Sequence, residues 1–288
     1  MGASFRARAN ERWRALRLLA LASQASVLLG CAQPAGLVGS QEASPGGKPH
    51  VLASVLAPTG HLRAALHGGS PSSYVAAEHG TAARGVGFDL AQDLARRLNV
   101  PFEPLVFTSN VDAIAAVREG RADFIFTNAT PQRAKDMDLT TAVLSVEKGV
   151  LAPQGTRLRN VQDLSEGRWR IGAMEGSSTA TDLPHQFPAA DMRSVASLPD
   201  AMARLRDGSL DGLAANKAIL YELSAHIPGS VMLTGTWGVE RYAVGIPQGR
   251  EAARAYMAAF IVDARRDGTI QRAVVRAGLK GVVPGTPE

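Results

Sequence analysis

The same helix–turn–strand pattern occurs twice in this chain, and this repeat constrains the fold more than any other feature. The two copies are AIAAVREGRADFIFTN at 113–128 and AMARLRDGSLDGLAAN at 201–216. In each copy, apolar residues at helical spacing lead into charged residues, then a glycine where a helix stops, an aspartate and a short apolar run. The pattern predicts a helix followed by a buried parallel strand in each of two similar lobes.

Both copies end in an asparagine, Asn128 in the first and Asn216 in the second. Ligands of open α/β sheets collect beyond the carboxyl ends of the strands. A molecule held between the two lobes would therefore contact a polar side chain at the end of each strand. The two asparagines are for this reason candidate ligand-binding residues.

The positive charge of the chain is concentrated at its N-terminus. Residues 1–30 contain five arginines and one glutamate, which account for +4 of the net charge of +5 over 288 residues. Aromatic residues make up only 5% of the chain, and no basic patch with interleaved aromatic residues follows the leader. Nucleic acid is therefore not expected as a partner.

The leader at 1–30 is typical of an export signal. Its arginines precede an apolar stretch at 18–29 that is too short to span a bilayer comfortably as a permanent helix. The stretch ends in Leu-Leu-Gly-Cys at 28–31, which resembles a bacterial lipobox, and Cys31 is the only cysteine in the chain. The resemblance implies cleavage before Cys31 and lipidation of its thiol. Residues 31–48 are rich in Gly, Pro, Ser and Ala and are expected to form a flexible tether.

Patterning predicts the remaining elements. The apolar run at 51–57 is interpreted as the first strand, and 58–84 as a long loop. The histidines in and beside this loop match no zinc or iron spacing, so neither a metal nor a cofactor is expected. Other expected elements are a helix after Gly85, a strand through Val106, a strand near 168–174, a strand at 241–246, a helix at 251–265 and a last helix at 269–279.

Two predicted helix starts carry groups that suit an anion. Thr130 and Pro131 are the expected cap and first residue of one helix, which places Arg133 in its first turn. The other start is Gly-Ser-Ser-Thr at 176–179. There the backbone N–H groups either form an anion site or serve as ordinary caps.

In this order the residues resemble the family 3 bacterial extracellular solute-binding proteins, the receptors of polar amino acid ABC importers. The most specific stretch is DFIFTNATPQRAKDMDLT at 123–140. Asp-Leu-Ala at 89–91, the Gly-Ser-Ser-Thr turn and Asp-Gly-Thr at 267–269 support it. The similarity extends over about 49–280.

The resemblance implies an α/β fold of two lobes joined by two crossing strands, the type 2 periplasmic binding protein architecture. Lobe 1 would comprise 49–150 plus 246–288, and lobe 2 would comprise 154–241. The crossings would lie near Val150–Pro153 and Tyr242–Ile246. Such lobes close on the ligand, and the permease recognises the closed state.

The resemblance also implies ligand contacts. In the family, the arginine of the Thr-Pro-x-Arg segment binds the α-carboxylate of the ligand, and Arg133 occupies this position. A planar guanidinium matches a carboxylate in bidentate geometry, and a helix N-terminus adds a favourable potential. Asn128 occupies the position of a Ser or Thr that also contacts the carboxylate. Ser178 and Thr179 would approach the same anion from lobe 2.

Asn216 departs from the family pattern, which usually has an aspartate there to pair with the ammonium of the ligand. An amide supplies no charge and accepts a weaker hydrogen bond than a carboxylate does. Either the ligand is a carboxylate that lacks an α-ammonium, or another acid binds the cation. The candidate acids are Glu175, Glu147 and Glu240.

Receptors of this family often carry a pocket aromatic residue in the first-lobe loop. Tyr74 lies in the corresponding loop of this chain, and Trp237 is a second candidate. Both side chains are also compatible with a place in the core or at the rim.

The resemblance implies a lipid-anchored monomeric receptor of the periplasm or cell envelope. It would deliver a small carboxylate-bearing solute, an amino acid or a related organic acid, to an ABC permease in the inner membrane, without catalysis. The alternative is an enzyme similar to the periplasmic cyclohexadienyl dehydratases, in which Glu175 or Glu147 would be the general acid. No Gly-x-Ser-x-Gly, His-Glu-x-x-His or phosphate-loop motif indicates another enzyme class.

Overall fold

The computed structural model describes residues 47–284 except position 79, with side chains from Val51 onward. The predicted leader at 1–30, Cys31 and most of the predicted tether lie outside the described residues. No helix of the described part is long and apolar enough to cross a bilayer.

Helices and strands alternate along most of this part of the chain. The helices are α1 (Gly47–Leu56), α2 (Val86–Leu98), α3 (Asn110–Arg118), α4 (Ser178–Gln186), α5 (Leu198–Arg206), α6 (Lys217–Ser224), α7 (Glu251–Arg266) and α8 (Thr269–Ala277). The strands are β1 (Leu62–His67), β2 (Phe102–Phe107), β3 (Phe124–Asn128), β4 (Asp138–Leu139), β5 (Leu144–Ala152), β6 (Arg170–Met174), β7 (Asp191–Val195), β8 (Gly212–Asn216), β9 (Val231–Met232) and β10 (Gly238–Ile246).

The strands form one continuous sheet in the order β2-β1-β3-β10-β5-β8-β6-β7, with β4 paired to β10 and β9 paired to β5. The outer strands pair in parallel, β1 with β2 and β3, and β6 with β7 and β8. The central pair, β5 and β10, is antiparallel and joins the two parallel groups. We call β2-β1-β3 with its helices the first half, β8-β6-β7 with its helices the second half, and β5 and β10 the crossing strands.

The repeat is confirmed. Helix α3 leads into β3 and helix α5 leads into β8, and the glycines between them, Gly120 and Gly208, have φ values of 69° and 75°. This left-handed conformation is the reason that glycine follows each helix. Each strand ends at the predicted asparagine, and each pairs with a crossing strand, β3 with β10 and β8 with β5.

Buried apolar side chains form a core on each side of the crossing strands. In the first half, Leu90, Leu94 and Leu98 recur every fourth residue on α2, and all three pack into the largest cluster with residues of α7 and α8. In the second half, α4, α5 and α6 cover the sheet through two further clusters. The two cores hold the ends of β3 and β8 at the crossing strands.

The first strand was wrongly predicted. The apolar run at 51–57 lies mainly in helix α1, and the first strand is Leu62–His67, inside the stretch that was expected to be a loop. A short apolar run fits a buried helix as well as a buried strand. Here Leu52, Val55 and Leu56 follow helical spacing and pack against the first-half core.

The helix predicted after Thr130 is only a 3₁₀ turn, Arg133–Lys135. Thr130 does act as a cap, since its Oγ1 accepts a hydrogen bond from the Arg133 backbone N–H at 3.2 Å. The turn ends because the chain pairs with β10 at Asp138. The expected helix-dipole contribution at Arg133 is therefore missing.

An equivalent ion pair occurs in each copy of the repeat. Asp123 precedes β3 and binds Arg63 at the start of β1, with Nε to Oδ2 at 2.8 Å, while Asp211 precedes β8 and binds Arg170 at the start of β6, with Nη2 to Oδ1 at 2.7 Å. The Asp123 side chain is 0% exposed and also accepts from Arg250 at 3.0 Å, whereas Asp211 is 26% exposed. Only the first pair is deeply buried.

We expect Asp123→Asn to lower the free energy of unfolding by about 3–5 kcal/mol, because it leaves two partly buried guanidinium groups without their counter-charge. The matched change Asp211→Asn should cost about 1 kcal/mol or less, because its ion pair is partly exposed. Urea unfolding of both variants measures the difference. Equal losses of unfolding free energy in the two variants would contradict the larger contribution assigned to the buried ion pairs of Asp123.

Candidate ligand-binding site

A cavity of about 50 Å³ lies where the two halves meet at the crossing strands. Most of its lining residues are polar in type, and they include the ends of β1, β3, β6 and β8, the loop after β1, part of β10 and the start of α4. The titratable side chains of the lining are His67, Arg133, Glu240 and Tyr242.

Strand geometry brings these groups together. Side chains alternate along β10, so Glu240 and Tyr242 both line the cavity while Arg241 between them is exposed. Asn128 ends β3 directly opposite Tyr242, and Asn216 ends β8 opposite the other crossing strand. The two asparagines of the repeat thus lie on either side of the same cavity.

Arg133 supplies the positive charge of the cavity. Its Nη1 donates to Thr127 Oγ1 at 2.7 Å and to the carbonyl of Asn128 at 3.1 Å, and its Nη2 donates to the carbonyl of Gly176 at 3.2 Å. Burial lowers the pKa of the Arg133 guanidinium, and the charge of Glu240 opposes this shift. A guanidinium has five N–H donors. Within the described residues, Nε–H and one Nη2–H have no protein acceptor and suit a carboxylate.

Glu240 supplies the negative charge and is only 5% exposed. Its Oε1 accepts from Ser178 Oγ at 2.9 Å and from Thr179 Oγ1 at 3.5 Å, and its Oε2 accepts from Asn216 Nδ2 at 3.0 Å and from Tyr242 OH at 2.9 Å. An ionised carboxylate has about four lone-pair positions. Because the Thr179 contact is long, one position can take a donor from a ligand.

The two asparagines donate toward the cavity through their amide groups. Asn216 Oδ1 accepts from the Ile219 backbone N–H at 3.1 Å and so caps α6, which leaves Nδ2 to face Glu240. Asn128 Nδ2 donates to Ser178 Oγ at 2.6 Å, a hydrogen bond from the first half to the second. An aspartate at position 216, which the resemblance led us to expect, would place a second carboxylate against Glu240.

The other two titratable side chains are uncharged at neutral pH. Burial raises the pKa of the Tyr242 phenol well above its usual range, so its hydroxyl stays protonated and donates. The Tyr242 ring stacks on Phe126 with centroids 5.3 Å apart. Burial lowers the pKa of the His67 imidazole, and the nearby Arg133 charge lowers it further. The fixed charges of the cavity are therefore one cation and one anion.

The cavity contains most of the side chains predicted from the sequence. Neither predicted aromatic residue is among them. Tyr74 packs against Phe88 with ring centroids 5.5 Å apart, and Trp237 is buried in the second-half core with its Nε1 donating to Gly149 at 3.0 Å. The predicted residues that do line the cavity are Arg133, Asn128, Ser178, Thr179 and Asn216.

Of the three candidate acids, Glu240 alone lines the cavity. Glu147 forms an ion pair with Lys217, with Oε2 and Nζ 2.6 Å apart, and Glu175 is exposed.

Ser177 Oγ caps α4 by accepting from the Ala180 backbone N–H, one of the two roles expected of the Gly-Ser-Ser-Thr turn. Ser178 and Thr179, which the resemblance placed near the ligand carboxylate, donate to the Glu240 carboxylate. Glu240 and the Gly-Ser-Ser-Thr turn were both singled out from the sequence, but the contact between them was not predicted.

Sequence reasoning missed His67, Tyr242 and the serines that follow β1. His67 is the last residue of β1, and Ser73 Oγ accepts from its backbone N–H at 2.8 Å. A correct first strand would have placed His67 at a carboxyl end, where ligand contacts are expected. Tyr242 was considered only as part of a crossing, although its spacing of two from Glu240 places both on one face.

The sequence profile of the bacterial extracellular solute-binding proteins, family 3, matches residues 62–277. This chain belongs to that family. The matched region includes every strand of the sheet, helices α2 to α8 and every titratable residue of the cavity. A comparison with curated protein sequences gives no significant match.

Solved structures with the same fold include receptors for amino acids. A solute receptor for L-cysteine of Neisseria gonorrhoeae is 21% identical, with a TM-score of 0.68 over 78% of this chain and 92% of the other. An amino acid ABC transporter substrate-binding protein of Streptococcus pneumoniae bound to L-arginine is 18% identical, with a TM-score of 0.69 over 78% and 97%. This family 3 protein therefore has the two-lobed fold of the type 2 periplasmic binding proteins.

A third similar structure is an ancestral amino acid-binding protein described as a precursor of cyclohexadienyl dehydratase. It is 19% identical to this chain, with a TM-score of 0.64 over 78% of this chain and 98% of the other. At such identities the likeness shows the fold alone, so the boundaries of the two lobes and the ligand contacts stay predictions.

We expect Asn216→Asp to lower the free energy of unfolding at pH 7 by about 1–3 kcal/mol, because it places a carboxylate against Glu240 and removes a donor. The like charge raises the folded-state pKa of the carboxyl pair. The stability of the variant should therefore be retained below about pH 4 and lost as the pH rises.

Asn216→Ser is the matched control, because serine keeps the helix cap without adding charge. Urea unfolding of both variants between pH 4 and pH 7 measures the effect. A difference between Asn216→Asp and Asn216→Ser that does not change with pH would contradict the proximity of positions 216 and 240 in solution.

Proposed function

We propose that this chain is the receptor of an ABC importer for a small zwitterionic solute, an amino acid or a close relative. The observation that carries the proposal is the pair of opposite charges in one cavity. Arg133 presents two N–H groups that no described residue accepts, and Glu240 presents a position for a donor. A solute with a carboxylate and an ammonium matches both, and it leaves neither charge without compensation.

Asn216 leaves open whether the ligand lacks an ammonium or has its ammonium bound by another acid. The charge pair favours the second alternative. An acid without an ammonium would pair with Arg133 and leave Glu240 uncompensated. A zwitterion instead has its ammonium bound by Glu240, on the crossing strand, in place of the aspartate that is usual at position 216. The similar structures of a receptor for L-cysteine and of a substrate-binding protein bound to L-arginine support this substrate class.

Solute entry requires the halves to separate. The cavity of about 50 Å³ is lined from both halves, and it shares Asn128, Arg133 and Ser178 with a more open cavity of about 700 Å³. Hydrogen bonds between the two halves join Asn128 to Ser178 and Arg133 to the carbonyl of Gly176. We propose that bending of β5 and β10 opens the cavity and that the bound solute favours the closed state, which the permease recognises.

The enzyme alternative is supported by the ancestral dehydratase precursor and by the buried acid in the cavity. Glu147 and Glu175, the acids first considered, do not line the cavity. Both carboxyl oxygens of Glu240 are engaged by hydroxyl and amide donors of the protein, whereas a general acid must direct a proton at the substrate. We therefore favour binding without catalysis, and turnover of prephenate or arogenate by the purified protein would overturn this choice.

We propose that the receptor is a monomer held in the periplasm or at the cell envelope by a lipid on Cys31. The support is the sequence of the leader and the extracellular location of the family. A tethered receptor stays near its permease, which raises the effective concentration of the solute-loaded form at the membrane.

We expect Arg133→Ala to weaken the binding of the preferred amino acid at least about 100-fold, because it leaves the solute carboxylate without its charge-assisted partner. Arg133→Lys should recover little, since an ammonium lacks the planar fork. A thermal-shift screen of the common amino acids, dicarboxylates and aromatic acids selects the ligand, and calorimetry then measures the affinities.

The control for this test is Arg266→Ala, an exposed arginine at the end of α7 and away from the cavity. It should bind like the unchanged protein. Circular dichroism establishes that each variant is folded. Undiminished affinity in folded Arg133→Ala would refute the carboxylate contact.

We expect Cys31→Ala to abolish lipidation and to move the protein from the detergent phase to the aqueous phase in Triton X-114 partition of cell extracts. Lipid attachment needs the thiol, so the change removes the anchor without touching the described fold. Incorporation of labelled palmitate provides a second readout. An unchanged partition with no label in either form would show that Cys31 is not an anchor.

A further inference from the structure

Arg84 forms an ion pair that joins the two halves outside the cavity. Its Nη2 donates to Oε1 of Glu222 at 2.7 Å, and the two side chains are 28% and 21% exposed. Arg84 lies in the loop between β1 and α2 of the first half, whereas Glu222 lies on α6 of the second half. Unlike Asn128 and Arg133, which also bond to the second half, neither partner of this ion pair lines the cavity.

Both partners of the ion pair are attached to segments that do line the cavity. In the first half, the backbone of Arg84 forms two hydrogen bonds with that of Val75, which follows Ser73 of the lining by two residues. In the second half, Glu222 follows Ile219 of the lining by three residues, so the two side chains share one face of α6. A movement that draws these two segments apart therefore breaks the ion pair.

The Arg84 side chain is fixed in its place by the end of α8. Its Nη1 donates to the carbonyl of Ala277, the last residue of that helix, at 2.6 Å. A helix C-terminus carries a partial negative charge that favours a guanidinium. Arg276 on the same helix donates to the carbonyl of Ala83 at 3.0 Å and so holds the loop against α8. Because Arg84 is held in this way, its ion pair costs less side-chain entropy than an ordinary surface pair does.

We propose that the Arg84–Glu222 ion pair is a latch, a contact that holds the two halves closed over the bound solute and slows its release. The inference rests on the proposed function, in which the halves separate to admit the solute and close on it. Because neither side chain lines the cavity, the latch stabilises the closed state by the same amount whichever solute is bound. Arg84 and Glu222 are therefore positioning residues, which set how long a solute stays bound without selecting it.

The test is the change Glu222→Gln, which removes the charge of the latch but leaves the contact between Arg84 and Ala277 in place. Calorimetry measures the affinity of each amino acid that the thermal-shift screen selects, and stopped-flow displacement measures its release rate. We expect every affinity to fall by about the same factor, about two- to fivefold. Release should become faster by most of that factor, while the association rate changes little.

A double-mutant cycle and a matched control complete the test. The double variant Arg84→Gln/Glu222→Gln should bind no more weakly than Arg84→Gln alone, because the first change already breaks the latch. The control is Glu119→Gln, the same chemical change in an ion pair with Arg121 at 2.8 Å that lies within the first half. Its affinities and release rates should equal those of the unchanged protein. Circular dichroism establishes that each variant is folded.

The other outcomes overturn the latch. Unchanged affinities and release rates in folded Glu222→Gln would show that the ion pair does not favour the closed state. A loss that differs between solutes would show that Glu222 acts on the solute site instead of on closure, and an equal loss in Glu119→Gln would show a general effect of charge. In these three cases the proposed function stands. If no amino acid of the screen binds to the unchanged protein, the proposed function fails, and the latch fails with it.

Discussion

The buried carboxylate of Glu240 is the interaction on which the arrangement of the two halves depends. A carboxylate removed from water is very costly unless several donors surround it. These donors come from α4 and from the end of β8 in the second half, and from Tyr242 on the same crossing strand. Tyr242 in turn stacks on Phe126 of the first half. Satisfying one charge therefore brings both halves to the same point on the crossing strand.

The position of the Glu240 carboxylate explains the residue types at the neighbouring positions of the cavity. Asn216 is an amide because a second carboxylate would repel Glu240, and Asn128 is a donor because Ser178 already donates its hydroxyl hydrogen to Glu240. Arg133 provides the compensating charge, but hydrogen bonds with neutral acceptors hold it apart from Glu240. This leaves a cation and an anion at separate positions, which is the pattern that a zwitterionic solute complements.

The sequence predicted those parts of the site that depend on local rules. The repeat placed Asn128 and Asn216 at strand ends because a glycine stop and a short apolar run define a helix and a strand without tertiary information. The resemblance placed Arg133 in the site. It did not show that the turn around Arg133 is too short for a helix, because pairing of Asp138 with β10 ends it.

The remaining parts depend on contacts between distant segments. The apolar run at 51–57 packs as a helix against α7 and α2, and its pattern does not distinguish this from a strand. Because the first strand was predicted too early in the chain, His67 was not recognised as the last residue of a strand. Glu240 was one of three candidate acids, because which of them faces the cavity is decided by the pairing of β10 between β3 and β5. Neither that pairing nor the core positions of Tyr74 and Trp237 follow from local patterns.

The central claim is that Arg133 and Glu240 together bind a zwitterion. The most direct test is a calorimetric comparison of the best amino acid ligand with its two truncated analogues, the acid without the ammonium and the amine without the carboxylate. If the account is correct, each analogue binds at least about 100-fold more weakly than the amino acid, because each leaves one buried charge without a partner. Binding of the acid as tightly as the amino acid would show that Glu240 does not contact the ammonium and would contradict the account.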